Sequence, residues 1–205
     1  MLETAKLFVN MYCLKDPYHK RHAERVQVTS LTIGKAIGLS GQELQTLEHA
    51  ALLHDIGKAF IPEKILSKEG ELTEQEWNLI KLHPCFAYEL LKHFAPEVAE
   101  AILHHHENWD GSGYPDGLKG DEIPLLARII RIADSIDAGC SERAYKEAKL
   151  FAVVFEEIQH AAGSFYDPEI VSVLGNGRRR FFQNSIQDFS GRHFYFKRDN
   201  PHFRR

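Results

Sequence analysis

Apolar residues three and four positions apart, closed off by capping signals, run through nearly all of this 205-residue chain. That spacing is the buried stripe of an amphipathic helix. It is plain at Val26, Leu31, Ile33, Ala36 and Ile37. Leu39-Ser40-Gly41 interrupts it, and Ser40 is placed to cap the next helix, Gln42–His54. Thr73-Glu74-Gln75-Glu76 has the form of a capping box ahead of Trp77–His83. Pro96 and Pro124 suit the first turns of helices reaching toward His106 and Asp137, and Asp167-Pro168-Glu169 opens another. Outside the C-terminal tail no strand-like alternation is sustained. The pattern predicts an all-α domain of roughly seven to nine helices. One gap remains, Asn108–Asp121, where Gly111, Gly113, Gly117, Gly120 and Pro115 exclude a helix. A loop of that length inside a helical domain is usually functional.

Composition narrows the class. With 43% hydrophobic and 26% charged residues, the chain has the make-up of a folded globular protein. Arg128 and Arg131 interrupt the most apolar stretch, Leu125–Ala133, so no run approaches the roughly 18–20 residues of a membrane span. Met1–Asn10 lacks a basic leader with an apolar core, which makes the cytoplasm the expected location. Cys13, Cys85 and Cys140 lie far apart and argue against a disulfide framework or a thiolate zinc site.

The charge is uneven. From Arg178 onward there are eight Lys/Arg and two Asp/Glu, out of 25 and 29 in the whole chain, so an acidic body precedes a basic tail. The expected division is a domain at 1–177 and a tail at 178–205. In the tail, Arg178-Arg179-Arg180-Phe181-Phe182 and Arg192–Arg198 interleave cations with aromatics. That pattern suits nucleic acid or an acidic membrane surface. Folding back on the acidic body, or pairing across a dimer, is the simpler reading, and nucleic acid is not an expected partner.

Twelve histidines ask for a reason, and metal binding is the commonest. His54-Asp55 ends the apolar run Ala50-Ala51-Leu52-Leu53. On a regular helix two adjacent side chains diverge by about 100°, so they can share an ion only near its end or in a distorted turn. His83 and the run His104-His105-His106 follow, and His22 lies upstream. Asp134 is surrounded by Ile129, Ile130, Ile132 and Ala133, where a carboxylate needs a positive partner. Taken singly, a histidine is more simply a core or surface residue, and His19, His49, His93, His160, His193 and His202 are left in that class. As a set, His/Asp donors without thiolate suit manganese, iron, cobalt, nickel or zinc. Six or seven donors exceed what one ion takes while keeping an open position, and two ions sharing a carboxylate is the natural solution.

His54-Asp55-Ile56-Gly57-Lys58 resembles the H-D-x-G-K signature of the HD phosphohydrolases, and His105–Pro115 the H-H-E-x-x-D-G-x-G-Y-P signature of their HD-GYP branch. The similarity runs from about Tyr18 to Leu174. It implies an all-helical domain that hydrolyses cyclic di-GMP to linear pGpG, and GMP in a further round, at a metal centre. By position, His22, His54, Asp55 and Asp134 match the ligands shared across HD enzymes. His83, His105 and His106 match those completing a second site, with Asp55 as the bridge. Two ions are implied, iron or manganese first, with nickel, cobalt and zinc as alternatives. A third ion, held in some members by a glutamate one turn before the first histidine, is not expected, because that position is Tyr18.

Asp55 and Lys58 are the implied catalytic residues. Lys58, Arg143 and Lys146 match phosphate contacts, and Gly113-Tyr114-Pro115 matches the loop beside the guanines. The stretch Asp137–Lys146 departs from the family's D-A-L-T-S-D-R-P-Y-R, with Ala144 where proline is common. Glu107 and Asp110 have two readings, as groups orienting the histidines or as caps on loop N–H groups. Relatives often carry a sensory or receiver domain ahead of this unit, so the chain is expected to be stand-alone or a fragment. A diguanylate cyclase domain and a second copy of the chain are the expected protein partners. The alternatives are a non-catalytic cyclic-dinucleotide sensor or docking module, and a phosphohydrolase of another nucleotide. Retention of all seven donors favours catalysis.

Overall fold

The capping box expected at Thr73–Glu76 forms, and the expected cap Ser40 makes one as well. The Ser40 hydroxyl accepts from the Glu43 N–H while the Glu43 carboxylate accepts from the Ser40 N–H, and Thr73 and Glu76 do the same. In the computed structural model, residues 17–141 and 148–175 are described, with side chains from Lys20 onward. They form α1 (Pro17–Ile37), α2 (Gly41–Leu53), a 3-10 turn (Ile56–Phe60), α3 (Glu63–Leu66), α4 (Glu74–Ile80), α5 (His83–Leu91) and α6 (Pro96–Leu103). A long loop with a 3-10 turn at Gly120–Glu122 leads to α7 (Leu125–Cys140), α8 (Phe151–His160) and α9 (Pro168–Gly175). Among the described residues there is no strand, only an isolated bridge between Ala162 and Tyr166. None of their helices is long and apolar enough to cross a membrane.

The fold is centred on α7. Ala127, Ile129, Ile130, Ile132, Ala133 and Ile136 are all buried, so this helix has apolar contacts on most sides. It packs against α1, α6 and α8, while α2 lies on α1 and α6. Val26 and Ile33 of α1, Leu47 of α2, Ile102 of α6 and Phe155 and Ile158 of α8 complete the core. The 3-10 turn packs on α5, which in turn packs on α6. That arrangement brings the end of α2, the start of α5 and the end of α6 to one place beside α7.

Two elements end earlier than the sequence pattern suggests. The helix expected to reach His83 stops at Ile80, and His83 instead begins α5 with Pro84 in the first turn. Proline has no N–H to continue the earlier ladder and fits the start of a new one. The helix expected to reach His106 stops at Leu103, where His104 leaves helical geometry (φ −103°, ψ 9°). Helices α3, α5 and α8 are additions to the expected set. Asp167 caps α9 as expected, its Oδ1 accepting from the Glu169 and Ile170 N–H groups. Arg143, Lys146, Cys13 and the tail at 178–205 lie outside the described residues, as does the side chain of Tyr18.

Candidate metal centre

Three histidines of the site are held in the same way. The Nδ1–H of His54 donates to the Ala51 carbonyl (2.8 Å), that of His83 to Ile80 (2.8 Å) and that of His105 to Ile102 (2.6 Å). A carbonyl only accepts, so Nδ1 carries the proton and Nε2 presents a lone pair. These carbonyls, three residues back, belong to the last turns of α2, α4 and α6, so the ends of those helices anchor the rings. His22 is oriented by another route. Its Nδ1 donates to Asp137 Oδ2 at 2.8 Å, and Arg25 holds that carboxylate through its Nε and its Nη2.

The free ring edges converge. His22 Nε2 lies 3.2 Å from His54 Nε2, and the His83–His105, His83–His106 and His105–His106 ring centroids are 5.4, 5.0 and 4.0 Å apart. Asp55 stands between the two groups. Its Oδ2 is 3.6 Å from both His22 Nε2 and His54 Nε2, and its Oδ1 is 3.3 Å from His83 Nε2. The chain has left α2 at this point (Asp55 φ −98°, ψ 3°), so His54 and Asp55 turn toward one centre instead of diverging. Asp134 joins from α7, with Oδ1 3.5 Å from His22 Nε2. Lys58 donates to Asp55 Oδ2 at 2.6 Å.

This arrangement fits cations. The donor atoms of Asp55, His83, His105 and His106 lie within 4.8 Å of one another, as do those of His22, His54 and Asp55. His83 Nε2 and His105 Nε2 are buried without a hydrogen-bond partner, a costly state that a metal ion relieves. Burial, reinforced by neighbouring histidines, pushes His54, His105 and His106 toward the neutral form that ligates metal. Burial opposes charge on Asp55 as well, but Lys58 and the histidines outweigh it and hold the carboxyl well below its usual range. For His22, burial pulls downward, yet the Asp137 hydrogen bond and the nearby carboxylates prevail and raise it to about 9.

The loop supplies one wall. Tyr114 stacks on His106, with centroids 4.9 Å apart and planes at 26°. A Cβ on Gly113 would lie 2.3 Å from the Asn108 nitrogen and 2.6 Å from the His106 carbonyl oxygen, so only glycine lets the loop fold over its own histidines. Glu107 and Asp110 act as loop caps. Glu107 Oε1 accepts from the Asp116 and Gly117 N–H groups (2.7 and 3.0 Å), and Asp110 Oδ1 accepts from the Ser112 N–H (2.9 Å). His104 turns away from its neighbours and pairs with Asp116 at 3.0 Å. Asp137 and Arg25, which orient His22, were not singled out by the sequence. The signal available was a second carboxylate three residues after Asp134, on the same face of an apolar helix.

Helices that place histidines and aspartates around one centre beside a Gly/Pro-rich loop define a helical domain able to hold metal ions. The chain belongs to the HD domain family, whose model matches residues 6–170. It is 43% identical over 164 residues to the cyclic di-GMP phosphodiesterase response regulator RpfG of Xanthomonas campestris, covering 78% of this chain and 43% of that protein. A cyclic di-GMP phosphodiesterase of Thermotoga maritima is 42% identical over 164 residues, covering 78% of this chain and 45% of its own. The 3′3′-cGAMP-specific phosphodiesterase 3 of Vibrio cholerae is 39% identical over 166 residues, covering 78% and 35%. The chain thus spans less than half the length of these relatives. Among solved structures, Bd1817, an HDG"Y"P protein of Bdellovibrio bacteriovorus, shares the fold, with a TM-score of 0.62 and 22% identity over 76% of this chain and 51% of that one.

Proposed function

We propose that this chain is a metal-dependent phosphodiesterase of cyclic dinucleotides, with cyclic di-GMP as the leading substrate. The observation that carries the reading is Asp55, whose two oxygens face two separate groups of histidines. On this reading His22, His54, Asp55 and Asp134 hold one transition-metal ion, and Asp55, His83, His105 and His106 hold a second, iron or manganese before nickel, cobalt or zinc. When bound, such ions supply Lewis acidity to the phosphoryl oxygens and a nucleophile from water near neutral pH.

The protein's own groups do the rest. Hydrolysis adds water oxygen to phosphorus, breaks the P–O3′ bond and leaves a proton on the 3′ oxygen, giving linear pGpG and, after a second round, GMP. Ionised Asp55 keeps acceptor sites for two cations and for Lys58, since a carboxylate offers about four lone-pair positions. Lys58 sits at the edge of the centre, where an ammonium offsets charge on the phosphate. The His–carbonyl anchors keep each imidazole from rotating when substrate arrives. Gly113, Tyr114 and Pro115 form the wall for a guanine, and Arg143 and Lys146 are assigned to phosphate on the family's pattern. The unit doing this is taken as 1–177, with 178–205 as an appendage.

The test is a hydrolysis assay with cyclic di-GMP, 3′3′-cGAMP and cyclic di-AMP, after anaerobic loading with iron or manganese. Cyclic di-GMP cleavage to pGpG is the expected outcome. A preference for 3′3′-cGAMP, which the relatives in Vibrio cholerae make the second reading, changes the substrate and keeps the chemistry. Binding of a cyclic dinucleotide without turnover under every metal overturns the reading in favour of a sensor.

Asp137→Asn tests the support beneath His22. It removes the charge that fixes the His22 ring and leaves Arg25 without its paired carboxylate. Loss of such a supporting group is expected to weaken metal affinity about 10–100-fold, measured by competition with a chelator. Unchanged affinity would show that His22 is positioned without Asp137.

A further inference from the structure

Arg131 is a cation in the site that the proposed chemistry leaves without a role. It lies on α7 one turn before Asp134, so both side chains leave the same face of the helix. Its Nε and Nη2 donate to Asn108 Oδ1 at 3.2 and 3.0 Å, and its Nη1 approaches Ser135 Oγ at 3.4 Å. Asn108 is two residues beyond His106, and its own Nδ2 donates to Ser112 Oγ at 3.0 Å within the loop. The guanidinium also lies 5.7 Å from the Tyr166 ring.

Its partners are all neutral. Arg25 is paired with Asp137, Arg128 with Asp121 and Asp167, and Lys58 with Asp55. Among the described residues no carboxylate pairs with Arg131, although it is half-buried. Withdrawing a guanidinium from water without a counter-charge costs free energy that neutral acceptors only partly offset. A fork of five donors with two neutral acceptors still has an edge to offer, and that fork matches phosphate.

We infer that Arg131 is a substrate-binding residue that takes a phosphate of the cyclic dinucleotide, held ready by Asn108 on the loop side of the metal centre. The inference rests on the proposed function and adds to it a specificity element. A cyclic dinucleotide carries two phosphates. Lys58 and the Asp55 centre meet the one under attack, and Arg131 supplies counter-charge for the other in addition to the phosphate contacts assigned to Arg143 and Lys146. A substrate with a single phosphodiester gains nothing from it.

Arg131→Gln and Arg131→Lys separate charge from scaffolding. Glutamine can still donate to Asn108 but is neutral, whereas lysine keeps the charge and loses the fork. The readouts are equilibrium binding of a phosphorothioate analogue of cyclic di-GMP at two salt concentrations, metal content, and hydrolysis of bis(p-nitrophenyl) phosphate. Arg131→Gln is expected to weaken binding about ten- to hundredfold, as for loss of a charge-assisted contact, and to flatten the salt dependence. Arg131→Lys is expected to recover most of that loss. Metal content stays at the wild-type level in both, and cleavage of the single phosphodiester falls less than binding of the cyclic dinucleotide. Wild-type binding in Arg131→Gln overturns the inference alone, and so does an equal loss in the two variants, which would make Arg131 a fastener of the loop. Failure of the wild type to bind any cyclic dinucleotide overturns the proposed function and this inference together.

Discussion

Asp55→Ala is expected to yield a folded protein that retains neither metal ion and has no phosphodiesterase activity above background. Asp55 is the single group common to both donor sets, within 4.8 Å of His22 and His54 on one side and of His83, His105 and His106 on the other. On the proposed reading, removing it deletes an anionic ligand from each ion at once. It also deprives Lys58, which donates to Asp55 Oδ2, of that carboxylate. His106→Ala removes a donor from one set only. It is expected to lower the occupancy of one ion, keep the other, and reduce turnover while some metal remains bound. Metal analysis after anaerobic reconstitution, run on both variants beside the wild type, distinguishes the two. Equal and mild losses would mean that Asp55 does not bridge.

The candidate donors stood out because metal ligation would demand residue types that a helical core otherwise avoids. Packing alone selects neither an aspartate among isoleucines, as at Asp134, nor three consecutive histidines before a breaker-rich loop. Residue type alone did not resolve the division of labour within that run, which came only from the family resemblance. His104, His105 and His106 are equivalent as letters, yet α6 ends at Leu103, and the altered path sends His104 to Asp116 and the other two to the centre. Glu107 and Asp110 were ambiguous for a related reason. A carboxylate in a loop serves equally well as a cap or as a prop for a ligand, and only the positions of the Asp116, Gly117 and Ser112 N–H groups select the cap.

The supporting residues were hidden by sequence distance. Asp137 meets Arg25 112 positions away in sequence, and neither has a local pattern that announces the pair. Local signals performed best where the stabilising contact was itself local, at Ser40–Glu43, Thr73–Glu76 and Asp167. They failed at α5, whose start is set by Pro84 and by packing against the 3-10 turn. The four-residue α3 carries too short a pattern to read.

Gly57→Ala is expected to damage fold and site together, through a single methyl group. A Cβ at this position would lie 1.9 Å from the His83 carbonyl oxygen, 2.8 Å from its carbonyl carbon and 2.9 Å from the Ala87 nitrogen. All three are backbone atoms of α5, so no side chain can swing aside, and the 3-10 turn must separate from α5 by about an ångström or more to restore an ordinary contact. Overpacking of this kind costs about 1–3 kcal/mol, and more where backbone must move. Both surfaces carry candidate donors: Asp55 lies two residues before Gly57, and His83 opens α5. The separation therefore pulls His83 Nε2 away from Asp55 Oδ1, now 3.3 Å apart, and opens the donor set that holds them both. The glycine of His54-Asp55-Ile56-Gly57-Lys58 is thus a packing requirement of the metal centre. Gly41→Ala is the matched control, because a Cβ there meets nothing within 4 Å. It is expected to be neutral or to stabilise by about 0.4–1 kcal/mol through the unfolded chain. Thermal unfolding and metal content of the two variants should move apart, with Gly57→Ala losing several degrees in Tm and metal from the His83 side. A Gly57→Ala protein with wild-type Tm and full metal content would show that the turn and α5 can separate without cost, and that their close contact does not hold the centre together.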